Sequence, residues 1–417
     1  MVIEKIDTIV VGGGQAGISM SEHLGNHKIP HLVLERNRIA EAWRSGRWDS
    51  LLANGPAWHD RLPSMKFPDT DPDSFPTKEK VADYLVEYAK MVHAPIRCGI
   101  EVRAVRKLPG RAGFHVETSE GEFETINVVA ATGPFQRPNL PPLVPETEGL
   151  LQIHSSAYKN PEQLPRGSVL VVGAGASGAQ IADELMRAGR RVYLSVGRHA
   201  RPPRWYRMRD NAWWSGVLGV WDATVSGDDT ENVPIAVSGV YSKTSIDFRR
   251  MAEKGMILVG STAGHEGGSI LFANNLKDNI EEGNKGYLLS LDEADAYVEY
   301  NGLDLPEDPA ARVILPITSY EKHPVVTLNI ASSELTSIIW ATGFSRDYSW
   351  IKADVLNENG NPIHSRGISC EPGIYFLGLP FQSRRSSSFL FGVWHDAKYI
   401  ADHIAYKKNY LNYKSST

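Results

Sequence analysis

Apolar positions along this chain fall into a composite pattern that occurs twice. Thr8-Ile9-Val10-Val11 is short, β-branched and continuously apolar, the character of a strand buried on both faces. The turn Gly12-Gly13-Gly14-Gln15-Ala16-Gly17 follows, then a helical stretch from Ile18 to Leu24, with Gly25 placed to end it. A second apolar strand, His31-Leu32-Val33-Leu34, closes on Glu35. The pattern restarts with Ser168-Val169-Leu170-Val171-Val172 and the turn Gly173-Ala174-Gly175-Ala176-Ser177-Gly178. A helix through Ile181, Leu185 and Met186, ended by Gly189, then leads to a strand over Val192 to Val196. Strand, glycine turn, helix and strand make the βαβ unit of a parallel sheet, so the pattern predicts an α/β chain with two Rossmann-like dinucleotide-binding domains.

Lys78 to Val92 sets Val81, Tyr84, Leu85, Tyr88 and Met91 on one helical stripe. Short alternating strands are predicted at 102–105, 114–118, 122–125 and 126–129, ending in Ala130-Ala131-Thr132-Gly133. Pro134, Pro138, Pro141, Pro142 and Pro145 make the next stretch a stiff connector. Residues 224–323 are the least periodic: a helix around Phe248 and Met251, an apolar strand ending at Val259, and helices over 270–280 and 291–300 are expected there. Trp205, Trp213, Trp214 and Trp221 crowd the approach to that segment, with packing as their expected use. Leu335 to Trp340 is apolar again, and Ala341-Thr342-Gly343-Phe344 repeats the small-residue turn, which has the chain crossing between domains there and back. Gly373 to Gly378 reads as the last buried strand. Ser386-Ser387-Ser388 then precedes a helix containing Asp396 and running to about Ala405, with residues 407–417 frayed. On this reading 1–160 and 331–417 form one split domain, and 161–330 is the inserted one with an irregular insertion.

With 417 residues and 42% hydrophobic side chains, the chain is long enough for two cores. A net charge of −5 gives no sign of nucleic acid or an acidic membrane surface. Cys98 and Cys370 are the only cysteines, which excludes a CxxC dithiol and a cysteine-rich metal site and fits a reducing compartment. No signal sequence or membrane-length apolar run is read, so a soluble cytoplasmic protein with a small-molecule partner is expected, as a monomer or a homodimer.

The candidate chemistry begins at the glycines. Gly12 permits the tight turn, Gly14 lets backbone approach a pyrophosphate, and Gly17 lets helix pack on strand, so N–H groups and the helix dipole face the phosphates. Gln15, Ala16 and Arg36 complete that set, and Glu35 stands where adenosine ribose hydroxyls would be. In the second unit Gly173, Gly175, Ser177 and Gly178 repeat the turn, but no acid follows; the strand runs into Gly197-Arg198-His199-Ala200-Arg201, with Arg204 close behind. Arg198 and Arg201 suit a ribose 2′-phosphate, so this site reads as NADPH and the other as a flavin dinucleotide, FAD. Trp43-Arg44 and Arg47-Trp48 either cover a flat ring and pair its phosphates or are core tryptophans with solvated arginines; Trp43, Arg44 and Trp48 are counted as cofactor contacts. Val102 and the turns Thr132-Gly133 and Thr342-Gly343 join them, small turns being where backbone passes close to a cofactor. Ser387 and Ser388, at the start of the last helix, offer hydroxyls and N–H donors to an anionic ring edge. His154 and Tyr158, four apart, are expected to pair on one helix face. Asn54, before Gly55-Pro56, reads by pattern as a turn residue.

The order GxGxxG, Glu35, tryptophan-arginine, a central GxGxSG and a late Ala341-Thr342-Gly343 resembles the class B flavoprotein monooxygenases, the flavin-containing monooxygenase group, over nearly the whole chain. Of that family's linker fingerprint, His154 and Tyr158 are present, while Leu150 stands at the glycine position and Leu335 replaces the acid that usually precedes the late ATG. Tyrosine at the fingerprint's end argues against the Baeyer-Villiger branch. The resemblance implies that NADPH reduces bound FAD, that oxygen then gives a flavin C4a-(hydro)peroxide, and that one oxygen atom passes to an amine, sulfide or N-heteroaromatic compound. It also makes Asn54-Gly55-Pro56 the counterpart of a flavin-side Asn-x-Pro motif, and so Asn54 the catalytic candidate, a hydrogen-bond donor to the peroxide and substrate. A Baeyer-Villiger or decarboxylating oxygenase on a carbonyl substrate, and a reductase or oxidase without oxygen transfer, are the alternatives.

Overall fold

Both repeats fold as βαβ units, and each nucleates its own sheet. The computed structural model describes residues 3–224, 234–240 and 243–413. The first unit is β1 (Glu4–Val11), α1 (Gln15–Asn26) and β2 (His31–Glu35). One helical turn, α2 (Glu41–Arg44), and helix α3 (Lys78–Met91) lead to β3 (Ile96–Cys98), β4 (Val102–Lys107), β5 (Phe114–Thr118) and β6 (Glu122–Ala130). After β7 (Arg137–Pro138) and β8 (Leu151–His154) comes the second unit, β9 (Ser168–Val172), α4 (Ala176–Arg187) and β10 (Val192–Ser195). Then follow β11 (Trp205–Tyr206), β12 (Arg209–Asp210), α5 (Asn211–Val217), α6 (Phe248–Glu253), β13 (Ile257–Val259), β14 (Thr262–Glu266), β15 (Ser269–Phe272), α7 (Leu276–Asn301), α8 (Ser319–Lys322) and β16 (Thr327–Asn329). The chain ends through β17 (Leu335–Trp340), β18 (Phe344–Ser345), β19 (Ile351–Lys352), β20 (His364–Ser365), β21 (Ile368–Ser369), β22 (Ile374–Phe376) and α9 (Val393–Leu411).

The first sheet has the order β19-β4-β5-β6-β1-β2-β3, with β22 alongside β6. Two strands expected at 122–129 are one, β6, whose first half pairs antiparallel with β5 and whose second half pairs parallel with β22. The second sheet, β13-β10-β9-β17-β8, is parallel throughout. Because β8 and β17 both belong to it, the sheets divide the chain near residues 134 and 344, not at 160 and 330. The expected crossing points are there: β7 leaves the first sheet, β18 returns to it, and the two pair antiparallel as a ribbon, Phe344 opposite Pro138 and Ser345 opposite Arg137.

Several expected boundaries move. Helix α1 runs through Gly25, and the left-handed residue that turns the chain is Lys28, at φ 55°. Ile270 lies in a strand: Gly267 and Gly268 both take positive φ, the signature of a tight hairpin turn, and join β14 to β15. The two helices expected beyond it are one, α7, which carries Gly283 where a Cβ would come within 2.5 Å of His199 Nε2. Helix α9 continues past Ala405 to Leu411, while residues 414–417 lie outside the described set. Trp214 is buried against α7 and donates to the Tyr206 carbonyl at 2.9 Å, the packing role expected of it.

Candidate active site

What the two glycine turns leave unmade defines the site. Thr77, Asp210, Asp247 and Thr318 cap α3, α5, α6 and α8 with their side chains. Helices α1 and α4 have no such cap and no acid in the first turn, so their amides and dipoles are left for an external anion. Both turns are shaped alike. A Cβ on Gly12 would stand 2.6 Å from the Ala131 carbonyl oxygen, and one on Gly173 the same distance from that of Ala341. A Cβ on Gly17 or Gly178 would lie 1.8 Å from the carbonyl oxygen of Gly12 or Gly173. Gly14 instead faces open space, with no protein atom within 4 Å of its Cβ position, room that suits a diphosphate. Gly175 differs in having Pro234 Cβ at 3.0 Å.

Glu35 closes β2 as expected, and its carboxylate accepts from Gly13 N–H at 2.7 Å and Asn37 N–H at 2.8 Å. Each oxygen keeps a lone pair for a ribose hydroxyl. Arg36 is exposed beside it, and Val102, at the start of β4, is half-buried. Gln15 opens α1 and ties three segments together: it donates to the Ser388 carbonyl at 3.0 Å and accepts from Trp43 Nε1 at 3.4 Å. Trp43 packs against the cores of both sheets, whereas Trp48 is buried in the second one. Arg44 does not enter the cleft; it turns to α3 and pairs with Asp83 at 2.9 Å on the surface. Ser387 is also spent internally, its hydroxyl accepting from the Ser383 and Arg384 amides at 3.1 Å, and α9 begins only at Val393, after Gly392. The turns Thr132-Gly133 and Thr342-Gly343 end β6 and β17 on either side of the ribbon.

Asn54 is exposed, and two buried residues of the second half fix it. Gln180 of α4 donates from Nε2 to the Val237 carbonyl at 2.7 Å and to Asn54 Oδ1 at 3.0 Å. A carbonyl can only accept, so Val237 sets the Gln180 amide, which in turn sets Asn54 with Nδ2 as a donor free of Gln180. Arg204, paired with Asp210 at 2.6 Å, donates to the Asn54 backbone carbonyl. Sequence reasoning missed Gln180; its signal was a polar residue on the apolar face of a helix.

The arginines at the end of β10 separate. Arg198 is exposed there, while Arg201 is buried, pairs with Asp247 at 3.1 Å, donates to Asn284 and stacks on Tyr287 at 4.5 Å. Arg201 therefore anchors α6 and α7 and does not present itself to a 2′-phosphate. His154 and Tyr158 share no helix: His154 ends β8 and Tyr158 follows a turn. His154 Nε2 donates to the Gly343 carbonyl at 2.9 Å, and Tyr158 donates to Glu184 of α4 at 2.7 Å, so the fingerprint fastens the connector to the second sheet at two places. Burial holds the His154 pKa below its ordinary value and raises that of Tyr158. Cys98 and Cys370 are free and exposed, so no dithiol lies over either turn, and no cluster of metal ligands occurs among the described residues.

Against known proteins, a family model for pyridine nucleotide-disulphide oxidoreductases matches residues 9–208. The oxidoreductase CzcO-like of Geobacillus kaustophilus is 35% identical over 404 residues, 96% of this chain and 98% of that one. This chain belongs to the CzcO-like oxidoreductases. This chain is also 32% identical over 196 residues to the probable indole-3-pyruvate monooxygenase YUCCA1 of Arabidopsis thaliana, 45% of this chain and 46% of that one. Its fold matches that of a flavin-containing monooxygenase from Stenotrophomonas maltophilia with a TM-score of 0.66, at 19% identity, over 97% of this chain and 100% of the other. This chain is thus class B flavoprotein monooxygenase-like. Among its described residues no helix is long and apolar enough to cross a membrane.

Proposed function

We propose that this protein is an NADPH-dependent FAD monooxygenase that transfers one oxygen atom to a small amine, sulfide or N-heteroaromatic compound. The observation that carries the reading is Asn54, an exposed amide set as a donor by a buried partner on the helix of the NADPH crevice. Bound FAD and NADPH supply the hydride transfer and the activation of oxygen. The chain's part is placement. The amides of α1 and the open face of Gly14 hold one diphosphate, Glu35 accepts from its ribose, and the α4 turn with Arg198 holds the second dinucleotide. Asn54 Nδ2 donates to the oxygen being transferred.

The likeness to an indole-3-pyruvate monooxygenase favours a second reading, oxygen transfer to a carbonyl substrate. Oxygen-18 gas with NADPH and either methyl phenyl sulfide or an aryl 2-oxo acid separates them. Label in the sulfoxide alone supports the first reading and label in a product of the oxo acid the second. NADPH oxidation that yields only unlabelled products and hydrogen peroxide refutes both.

A further inference from the structure

Of the two arginines beside the tryptophans, Arg44 is taken by Asp83, but Arg47 turns inward and meets no acid. Its guanidinium lies 4.9 Å from the ring of Phe135 and 5.7 Å from that of Trp43, and among the described residues its hydrogen bond is to the neighbouring Gly46 carbonyl at 3.2 Å. No carboxylate pairs with it among the described residues.

The surroundings place this cation where the two crevices meet. Trp43 reaches Gln15, in the first turn of α1, while Phe135 follows the Thr132-Gly133 turn. Phe135 stands edge-on to Phe344, 5.2 Å away, and Phe344 follows the Thr342-Gly343 turn and packs on His154 at 4.7 Å. A second cation adjoins. Lys159 Nζ donates to the Arg47 carbonyl at 3.2 Å and to that of Ser45, and burial first, then Lys78 and Arg47, lower its pKa against the opposing pull of Asp49. The acid in reach, Asp49, is engaged by Lys78 at 3.2 Å and Asn160 at 2.8 Å. Arg47 has no acid beside it among the described residues, and burial alone presses its pKa down to about 10. A half-buried guanidinium left in this state costs stability unless an anion arrives.

We propose that Arg47 is a diphosphate-binding residue, its guanidinium set beside the rings of Trp43 and Phe135 to receive a dinucleotide diphosphate at the seam of the two crevices. This rests on the two-dinucleotide reading above and adds a contact to it. A guanidinium offers parallel N–H donors that match two phosphate oxygens, which lysine cannot reproduce.

The test compares wild type with Arg47→Gln and Arg47→Lys. FAD affinity is read from fluorescence on reconstitution of the apoprotein, and NADP⁺ affinity from difference spectra of the oxidised, FAD-loaded protein. A lost charge-assisted contact raises Kd by about ten- to hundredfold. The rise is expected for one dinucleotide in Arg47→Gln, with a smaller rise in Arg47→Lys and an unchanged circular dichroism spectrum; which Kd moves identifies whose diphosphate it is. Both constants within twofold of wild type in both variants overturn the proposal, as does a Kd rise confined to a variant whose spectrum is lost. If wild type itself binds neither FAD nor NADP⁺, the functional reading fails, whereas tight wild-type binding with indifferent variants sinks only the assignment of Arg47.

Discussion

Gly14 and Gly17 lie in the same turn, three residues apart, and alanine at each should have opposite consequences. Gly14 has φ −89° and ψ −169°, which alanine adopts without strain, and its Cβ position has no protein atom within 4 Å. The substitution should change stability by less than ~0.5 kcal/mol. It would, however, put a methyl group where the diphosphate must approach the α1 amides. Losing one charge-assisted hydrogen bond costs about 1.5–3 kcal/mol, or roughly ten- to hundredfold in FAD affinity. At Gly17 the new Cβ would lie 1.8 Å from the Gly12 carbonyl oxygen. Ordinary contact needs the helix to withdraw by roughly 1.5 Å, and overpacking of that kind costs about 1–3 kcal/mol before any ligand is considered. Purified Gly14→Ala should therefore melt as apoprotein like wild type but take up FAD weakly, and Gly17→Ala should melt lower even without FAD. Full FAD occupancy in Gly14→Ala at limiting FAD would refute the placement of the diphosphate on that face.

Replacing Asn54 by alanine should leave flavin reduction by NADPH intact and raise hydrogen peroxide released per NADPH oxidised; Gln180→Ala should do the same to a lesser degree, because the lost hydrogen bond is worth about 1 kcal/mol of amide orientation. Peroxide yields equal to wild type in both would remove Asn54 from the chemistry. Arg198→Ala should raise the KM for NADPH far more than that for NADH, while Arg201→Ala should chiefly lower the melting temperature, since it strips Asp247 and Asn284 of a buried partner. Equal KM effects on the two coenzymes in Arg198→Ala would contradict the 2′-phosphate assignment. Burial lowers the His154 pKa despite the opposing effect of its Nε2 hydrogen bond to the Gly343 carbonyl, and its Nδ1 accepts the Ser156 amide at 3.1 Å, so the folded state holds it neutral. The unfolded chain then binds the extra proton, and stability present above about pH 6.5 falls as pH drops through that value towards the folded pKa. A smaller loss of melting temperature between pH 7.5 and 5.5 in His154→Gln is the expected sign; an identical loss would show that other groups set the acid limit.

The chain's own order of residues was enough to specify both βαβ units, because a buried parallel strand, a glycine turn and an amphipathic helix are local patterns, and the close contact that requires Gly17 is with Gly12 in the same turn. It was also enough to place the two crossings, since a small-residue turn ends β6 and β17 alike. It could not say what each charged side chain faces. Arg44 and Arg47 look equivalent along the sequence, yet one meets Asp83 on the surface and the other the seam; Arg198 and Arg201 part in the same way, through Asp247 and Asn284. Asn54 acquired a defined donor only from Gln180, 126 positions away. Partners distant in sequence carry no local signature, because only the folded chain fixes the distance between them, and charge and hydrogen bonding act on that distance alone.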